Sequence, residues 1–292
     1  MKRFDTFIMG HISKDENIFQ GKKVNETGGA VVYSSCASHA IGHKTGLLTK
    51  ISNIDRKNLK IFSIPKEDVI VVESKDTTSI RNVYHSEDRE RRTCTALSVA
   101  EPFKISDIPI EIESTIFHFA GLIVGEFEYD MIKILANKGK IALDVQGFLR
   151  TVGRSKEMVF RDWKEKEEYL PYIDYLKTDA AEAEIMTGKK DRKKAAEILR
   201  SWGAKEIMIT HNKEVLLFDG KKYYTSPIKP RNLSGRTGRG DTCFSAYITE
   251  RKNKKIEEAL LFAAALVSLK MEKPGPFKGN RDEVNDYIKE FY

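Results

Sequence analysis

The sequence predicts an α/β fold, a doubly wound and mostly parallel sheet with helices on both faces, carrying a small β-sheet lid. Three observations predict it. Short β-rich runs alternate with longer helical periods: Ile116-Phe117-His118-Phe119-Ala120 precedes a helical pattern near Tyr129 to Asn137, and Ile141-Ala142-Leu143-Asp144 follows, which is the grammar of βαβ units. At 292 residues the chain can build one large core, or one core with a small appendage. Two stretches, Asn17 to Thr27 and Thr77 to Val99, break the βαβ rhythm and read as antiparallel ribbons outside the main sheet.

The elements follow in order. The start, Met1 to Gly10, reads as a first strand entering a glycine turn, and Gly28-Gly29 open a helix from Ala30 to Ile41. Further strands are expected near Tyr172 to Lys177 and Glu206 to Thr210, with a hairpin of Val215 to Phe218 and Lys222 to Thr225 about Asp219-Gly220. Helices are expected over Ala180 to Thr187, Arg192 to Trp202, Asp241 to Glu250 and Ile256 to Met271. We therefore expect one unit over residues 1–292, with the lid formed by about 16–27 and 77–99. Edge strands in such a lid allow either a monomer or a lid-paired homodimer.

Composition narrows the class. A hydrophobic fraction of 40% with 32% charged residues is ordinary for a globular protein. No segment approaches the roughly 20 apolar residues of a membrane span, and Asp5 interrupts any secretory signal at the start, so a cytoplasmic protein without a membrane partner is expected. Cys36, Cys94 and Cys243 are odd in number and widely spaced, which suits reduced thiols better than a disulfide framework or a zinc site. The net charge of +7 is spread among acids, apart from short runs at Arg89-Glu90-Arg91-Arg92 and Lys252-Asn253-Lys254-Lys255. That field favours an anionic ligand, and no basic-aromatic motif points to nucleic acid.

The most informative segment is Arg236-Thr237-Gly238-Arg239-Gly240-Asp241-Thr242. Two glycines permit a tight turn with converging N–H groups, and the helix that begins there adds its positive dipole end, so the turn suits an anion. A carboxylate at its edge can take a proton from a hydroxyl that attacks a phosphoryl group. Asp241 would serve equally well as a plain helix cap, so the flanking segments decide. The Walker A pattern G-x-x-x-x-G-K-[ST] is absent from the sequence.

With those flanks, Thr237-Gly238-Arg239-Gly240-Asp241-Thr242 resembles the C-terminal signature of the PfkB, or ribokinase-like, carbohydrate kinases. Gly28-Gly29-Ala30 resembles the family's double glycine at the substrate hydroxyls, and Asp15 stands where family members grip two hydroxyls of a polyol. Thr178-Asp179-Ala180-Ala181-Glu182-Ala183 resembles the N-x-x-E-A segment, with Asp179 in place of the usual asparagine. Ile207 to Val215 resembles the nucleotide-lining strand and turn, although only Thr210 of its Thr-x-Gly-x-x-Gly pattern is kept. The resemblance spans nearly the whole chain and implies a ribokinase-like fold.

It further implies ATP and Mg²⁺ as cofactors and Asp241 as the catalytic base, within a loop of Gly238, Arg239 and Gly240. Glu182 is implied at the metal through water, and Thr210, Thr237, Gly238, Gly240, Asp179 and Arg150 at the nucleotide. Leu143 to Arg150 looks like the D-x-Q-G-F-x-R segment of the myo-inositol-kinase-like branch, which puts Asp15, Asn17, Gln146, Gly28 and Gly29 at the acceptor. Myo-inositol is the leading acceptor. Another sugar comes second, then a nucleoside gripped by Phe148, Tyr33 or Tyr84, and then a nucleotide-binding regulator without catalysis.

Overall fold

The computed structural model describes residues 1–86 and 92–292; the charged turn at 87–91, including most of the Arg89 to Arg92 run, lies outside the described residues. The main sheet is built from β1 (Lys2–Met9), while β2 (Ser13–Phe19) and β3 (Lys22–Gly28) leave it for a second sheet. The chain returns through helix α1 (Ala30–Ala40) to β4 (Thr45–Ile51) and β5 (Val69–Glu73), and then visits the second sheet again with β6 (Thr78–Tyr84) and β7 (Arg92–Ser98).

Next come β8 (Ile112–Phe119), α2 (Asp130–Ala136), β9 (Lys140–Asp144) and the short helix α3 (Gln146–Leu149). A small hairpin, β10 (Arg150–Val152) and β11 (Met158–Phe160), leads to α4 (Lys166–Tyr169), β12 (Tyr175–Asp179), α5 (Ala180–Thr187) and α6 (Arg192–Ser201). The chain closes with β13 (Glu206–Thr210), β14 (Glu214–Phe218), β15 (Tyr223–Pro227), α7 (Arg239–Glu250), α8 (Ile256–Met271) and α9 (Arg281–Phe291).

Nine strands form the main sheet in the order β15-β14-β13-β12-β9-β8-β1-β4-β5. Every pairing from β13 to β5 is parallel, and the β14 and β15 hairpin adds an antiparallel edge. Apolar side chains fill both faces. One core gathers Phe117, Leu143, Phe148 and Trp163, and another gathers Phe244, Tyr247, Phe262 and Leu266 under α7 and α8. Strands buried on both faces need the continuous apolar runs seen in Ile207-Met208-Ile209 and Ile141-Ala142-Leu143.

The second sheet has the order β3-β2-β6-β7. Its outer pairings are antiparallel, but β2 and β6 run parallel, with Asp15 opposite Ile80 and Asn17 opposite Asn82. The two ribbons expected from sequence are thus joined through a parallel seam. Several bonds tie this sheet to the rest of the chain, among them the Thr78 hydroxyl meeting His11 Nδ1 at 3.0 Å after β1 and the Ala96 N–H donating to Lys156 O at 2.8 Å in the β10–β11 turn.

Several boundaries differ from expectation for local reasons. The strand expected from Tyr172 begins at Tyr175, because Pro171 heads a 3₁₀ turn over Leu170–Tyr172. Helix α7 starts at Arg239, two residues earlier than expected, because Gly238 at φ 75° is the residue before its first turn. The chain also has α9 and a 3₁₀ stretch over Asn53–Ile61 that the apolar pattern did not announce.

Candidate active site

Gly238 takes a left-handed conformation that only glycine adopts cheaply, and a Cβ there would stand 2.1 Å from the Tyr33 ring of α1. Gly240 faces Lys177, whose Nζ would lie 3.2 Å from an added Cβ. Asp241 is the third residue of α7 and lies in its first turn, so it is not the helix cap; Gly238 holds that position without a side-chain bond. The first-turn N–H groups have no partner inside the helix. Burial pushes the Asp241 carboxyl up to about 6; Lys177 opposes that shift, and Asp144, within hydrogen-bonding reach, adds to it.

Lys177 and Asp144 were not singled out by their types alone. They stand opposite one another on the adjacent parallel strands β12 and β9, and Lys177 Nζ meets Asp144 Oδ2 at 2.8 Å with both side chains buried. Burial alone would lower the lysine, but Asp144, Glu182 and Asp241 hold it charged, above the ordinary lysine value. A buried ammonium beside the helix start is a fixed positive charge for phosphoryl oxygens.

Asp179 caps α5: its Oδ1 accepts the Glu182 N–H at 2.8 Å, and Glu182 Oε2 accepts the Asp179 N–H at 2.8 Å. This reciprocal box is worth about 1 kcal/mol to the helix. It also turns Glu182 inward, where it is 3% exposed. Burial raises its pKa well above the carboxylate range; Lys177 opposes the shift, and Asp179 and Asp144 add to it. Among the described residues no three His, Cys, Asp or Glu side chains form a metal cluster on their own.

The other half of the candidate site begins at the double glycine. Gly29 has φ 105°, and a Cβ there would collide with His11 O at 2.4 Å. An added Cβ on Gly28 would touch Asp15 Oδ2 at 3.2 Å and Ser13 Oγ at 3.4 Å. Burial pushes Asp15 up to about 6 against the Ser13 hydroxyl, Arg150 and Arg92, and its Oδ1 has no hydrogen-bond partner. The Ser13 hydroxyl, buried beside Asp15, was not singled out by sequence reasoning.

Asp15 and Asp241 both act on one buried ring, Tyr33: burial first, then Glu26, Asp241 and Asp15, raise its pKa. Helices α1 and α7 are also stitched directly, since Ser245 Oγ donates to Ser34 O at 2.7 Å and Ser34 Oγ donates to Asp241 O at 3.4 Å.

The remaining candidates divide. Arg150 is buried, with Nε donating to Leu122 O at 3.0 Å, and among the described residues it forms no salt bridge. Its pKa is lowered by burial and then by Arg92, while Cys94, Asp15 and Glu182 act the other way. Those neighbours bring Arg150 within electrostatic reach of both Asp15 and Glu182. Gln146 opens α3, where its N–H donates to Asp144 Oδ1 at 3.0 Å. Asn17 is half-buried in β2 and is engaged by Asn82 at 3.0 Å and Glu26 at 2.7 Å.

Thr210 ends β13 with its hydroxyl 3.5 Å from Thr178 O, and Arg239 Nη1 donates to Asn212 Oδ1 at 2.8 Å in the following turn. Thr237 is exposed and its carbonyl accepts from Lys270. Of the aromatics considered for a nucleobase, Phe148 is ruled out, because it is 2% exposed and packs on Trp163 at a centroid distance of 4.6 Å.

The family model described as pfkB family carbohydrate kinase matches residues 11–282. A solved pyrophosphate-dependent kinase of the ribokinase family, in complex with a pyrophosphate analog and myo-inositol, is 38% identical; the match covers 96% of this chain and 99% of that one, with a TM-score of 0.86. A pyrophosphate-dependent myo-inositol-1 kinase converted by two substitutions into a myo-inositol-3 kinase is 37% identical over 98% of each chain, with a TM-score of 0.86. A cytidine kinase of Thermococcus kodakarensis is 28% identical over 267 residues, covering 88% of this chain and 92% of that protein. The chain belongs to the pfkB family of carbohydrate kinases: it has the ribokinase-like fold and transfers a phosphoryl group to an alcohol hydroxyl.

Proposed function

We propose that this chain phosphorylates a hydroxyl of a cyclic polyol of the myo-inositol class, with pyrophosphate preferred to ATP as donor and the four-stranded sheet acting as lid. The observation that carries the donor preference lies in the turn after β13. Where the family commonly keeps two glycines, Asn212 and Val215 stand, and Asn212 accepts a hydrogen bond from Arg239 at 2.8 Å. The turn thus carries side chains in place of bare backbone, while Lys177, Arg239 and Lys270 bring positive charge to the helix start. A small, highly charged donor suits cations more than it suits room for a base. The similarity to two pyrophosphate-dependent myo-inositol kinases points the same way.

In the proposed step the acceptor hydroxyl lies between Asp15 and Asp241. Asp241 takes its proton as the oxygen bonds to phosphorus, and the bond to the bridging oxygen of the donor breaks, releasing orthophosphate from pyrophosphate or ADP from ATP. Lys177 and the first-turn N–H groups of α7 stabilise charge on the transferring group. Mg²⁺ fits this setting, because Asp144, Glu182 and Asp241 surround a single lysine and the Glu182 and Asp241 carboxyls are both held above their ordinary range. Glu182 and Asp179 would hold it, chiefly through its water shell, and the ion would neutralise phosphoryl oxygens. Asp15, Gly28, Gly29, Asn17 and Gln146 would line the acceptor, with Arg150 and Thr210 flanking the donor.

The test is a matrix of pyrophosphate and ATP against inositols, pentoses, hexoses and nucleosides, with products identified by phosphorus NMR. Turnover is expected with pyrophosphate and myo-inositol. Turnover with ATP alone removes the donor assignment, and turnover with cytidine alone replaces the acceptor.

A further inference from the structure

Helix α8 ends against the loop that leads into α7, and the two are bonded along their length. Ser234 Oγ donates to Glu272 O at 2.6 Å, and the Gly235 N–H donates to Met271 O at 2.7 Å. Lys270, one residue before the end of α8, is 2% exposed. Its Nζ donates to the carbonyl of Gly235 at 2.6 Å and also to the carbonyl of Thr237. Both bonds go to main-chain oxygens, and among the described residues Lys270 forms no salt bridge.

The ammonium also lies 5.1 Å from the centroid of Tyr33, the ring against which Gly238 packs. A buried amine without a carboxylate is costly. Burial lowers its pKa to about 8, with Asp241 and then Glu26 opposing. What makes the position tolerable is a pair of convergent carbonyl oxygens from the loop that leads into α7. That is the chemistry of a monovalent-cation site, and here a side chain fills it.

We propose that Lys270 is a positioning residue for phosphoryl transfer: its ammonium is a built-in cation that holds residues 235–237 and thereby sets the start of α7 for the donor, so that catalysis needs no added K⁺ or Na⁺. The proposal rests on the assignment of residues 238–240 to the donor. In this role Lys270 acts through the carbonyls it clamps.

The experiment compares the wild-type protein with Lys270→Met in buffers whose only cation besides Mg²⁺ is tetramethylammonium, then with K⁺, ammonium or methylammonium added. Wild-type turnover is expected to be indifferent to the additions. For Lys270→Met, kcat/KM for the donor should fall roughly 10²-fold with the acceptor KM nearly unchanged, and a small cation should restore part of it. A wild-type requirement for K⁺ would overturn the proposal. So would a folded Lys270→Met protein with a normal donor kcat/KM, or a loss that no cation relieves. Calorimetric titration with pyrophosphate serves as a second readout: if the wild-type protein turns over no acceptor, the proposed function fails, yet equal pyrophosphate affinity in the two proteins would still refute the role of Lys270, and weaker affinity in the variant would uphold it.

Discussion

Asp15, on a strand of the second sheet, and Asp241, in the first turn of α7, are both pushed by burial up to about 6, yet their surroundings equip them for different work. Asp241 sits on a helix start beside a lysine and within hydrogen-bonding reach of a second carboxyl, Asp144, so a proton can be taken up and shared. Asp15 sits on a strand among Ser13, Arg150 and Arg92, with one oxygen lacking any donor. A buried acceptor left without a partner costs about 1–3 kcal/mol, and a polyol hydroxyl would supply the missing bond. Proton affinity alone does not separate a base from a binding group; the identity of the neighbours does.

The largest expected effect falls on the base. Asp241→Asn should lower kcat by roughly 10²- to 10⁴-fold while the acceptor KM changes little, as measured by steady-state turnover. A variant within tenfold of wild type would erase the distinction between the two acids. Asp15→Asn should act mainly on binding, raising the acceptor KM roughly 10- to 100-fold, as expected when a buried hydrogen-bonding group loses its match. If its kcat instead fell as far as that of Asp241→Asn, Asp15 would share the chemistry.

The acid limb of the pH profile sharpens the comparison. A base must be unprotonated, so kcat/KM should rise with pH through about 6 and level off above it, following the Asp241 carboxyl. Asp144 is one of the groups that raise Asp241, so Asp144→Asn should move that limb to lower pH. Stability runs the other way. Because the folded-state pKa of about 6 exceeds the reference 3.8, the folded chain binds this proton more tightly, and the group's contribution is full below the reference value and lost as pH rises through about 6. Asp241→Asn should therefore melt higher than wild type at pH 8 and alike at pH 4; an Asn variant that melts lower at pH 8 would count against a strained, functional acid.

How much of this was legible in the sequence varies with the kind of signal. Helices α5 and α8 match their expected bounds because their apolar spacing and flanking Gly188 or Lys255 are local cues. Arg239-Gly240-Asp241 was legible for the same reason: glycines and an acid before a small-residue helix advertise an anion turn. Lys177 and Asp144 are 33 residues apart and become a pair only because β12 and β9 are neighbours in register. Lys270 was hidden inside a helix whose alanines read as packing, since nothing in its own segment says that a loop ending at Thr237 supplies the carbonyls. The parallel seam of the second sheet was illegible too, because β2 and β6 are 65 residues apart at Lys14 and Ser79.

The smallest effect on activity belongs to the far end of α7, and it separates folding from chemistry on one helix. Glu250 is 2% exposed and meets His43 Nε2 at 2.9 Å, Lys254 at 2.8 Å and the Arg281 guanidinium of α9. Burial would raise it, but bonds from His43, Arg281 and Lys254 hold it far below the usual glutamate range. With the folded pKa depressed, its contribution is present above the reference 4.5 and lost as pH falls towards the folded value. Glu250→Gln should cost about 1–2 kcal/mol near neutral pH, since its partners regain water, seen as a lower melting temperature. The gap should narrow under acid, and kcat and both KM values should stay at wild-type levels. If kcat fell with stability, the two ends of α7 would be coupled, and losses measured at Asp241 would have to be corrected for the loosening of the helix that carries it.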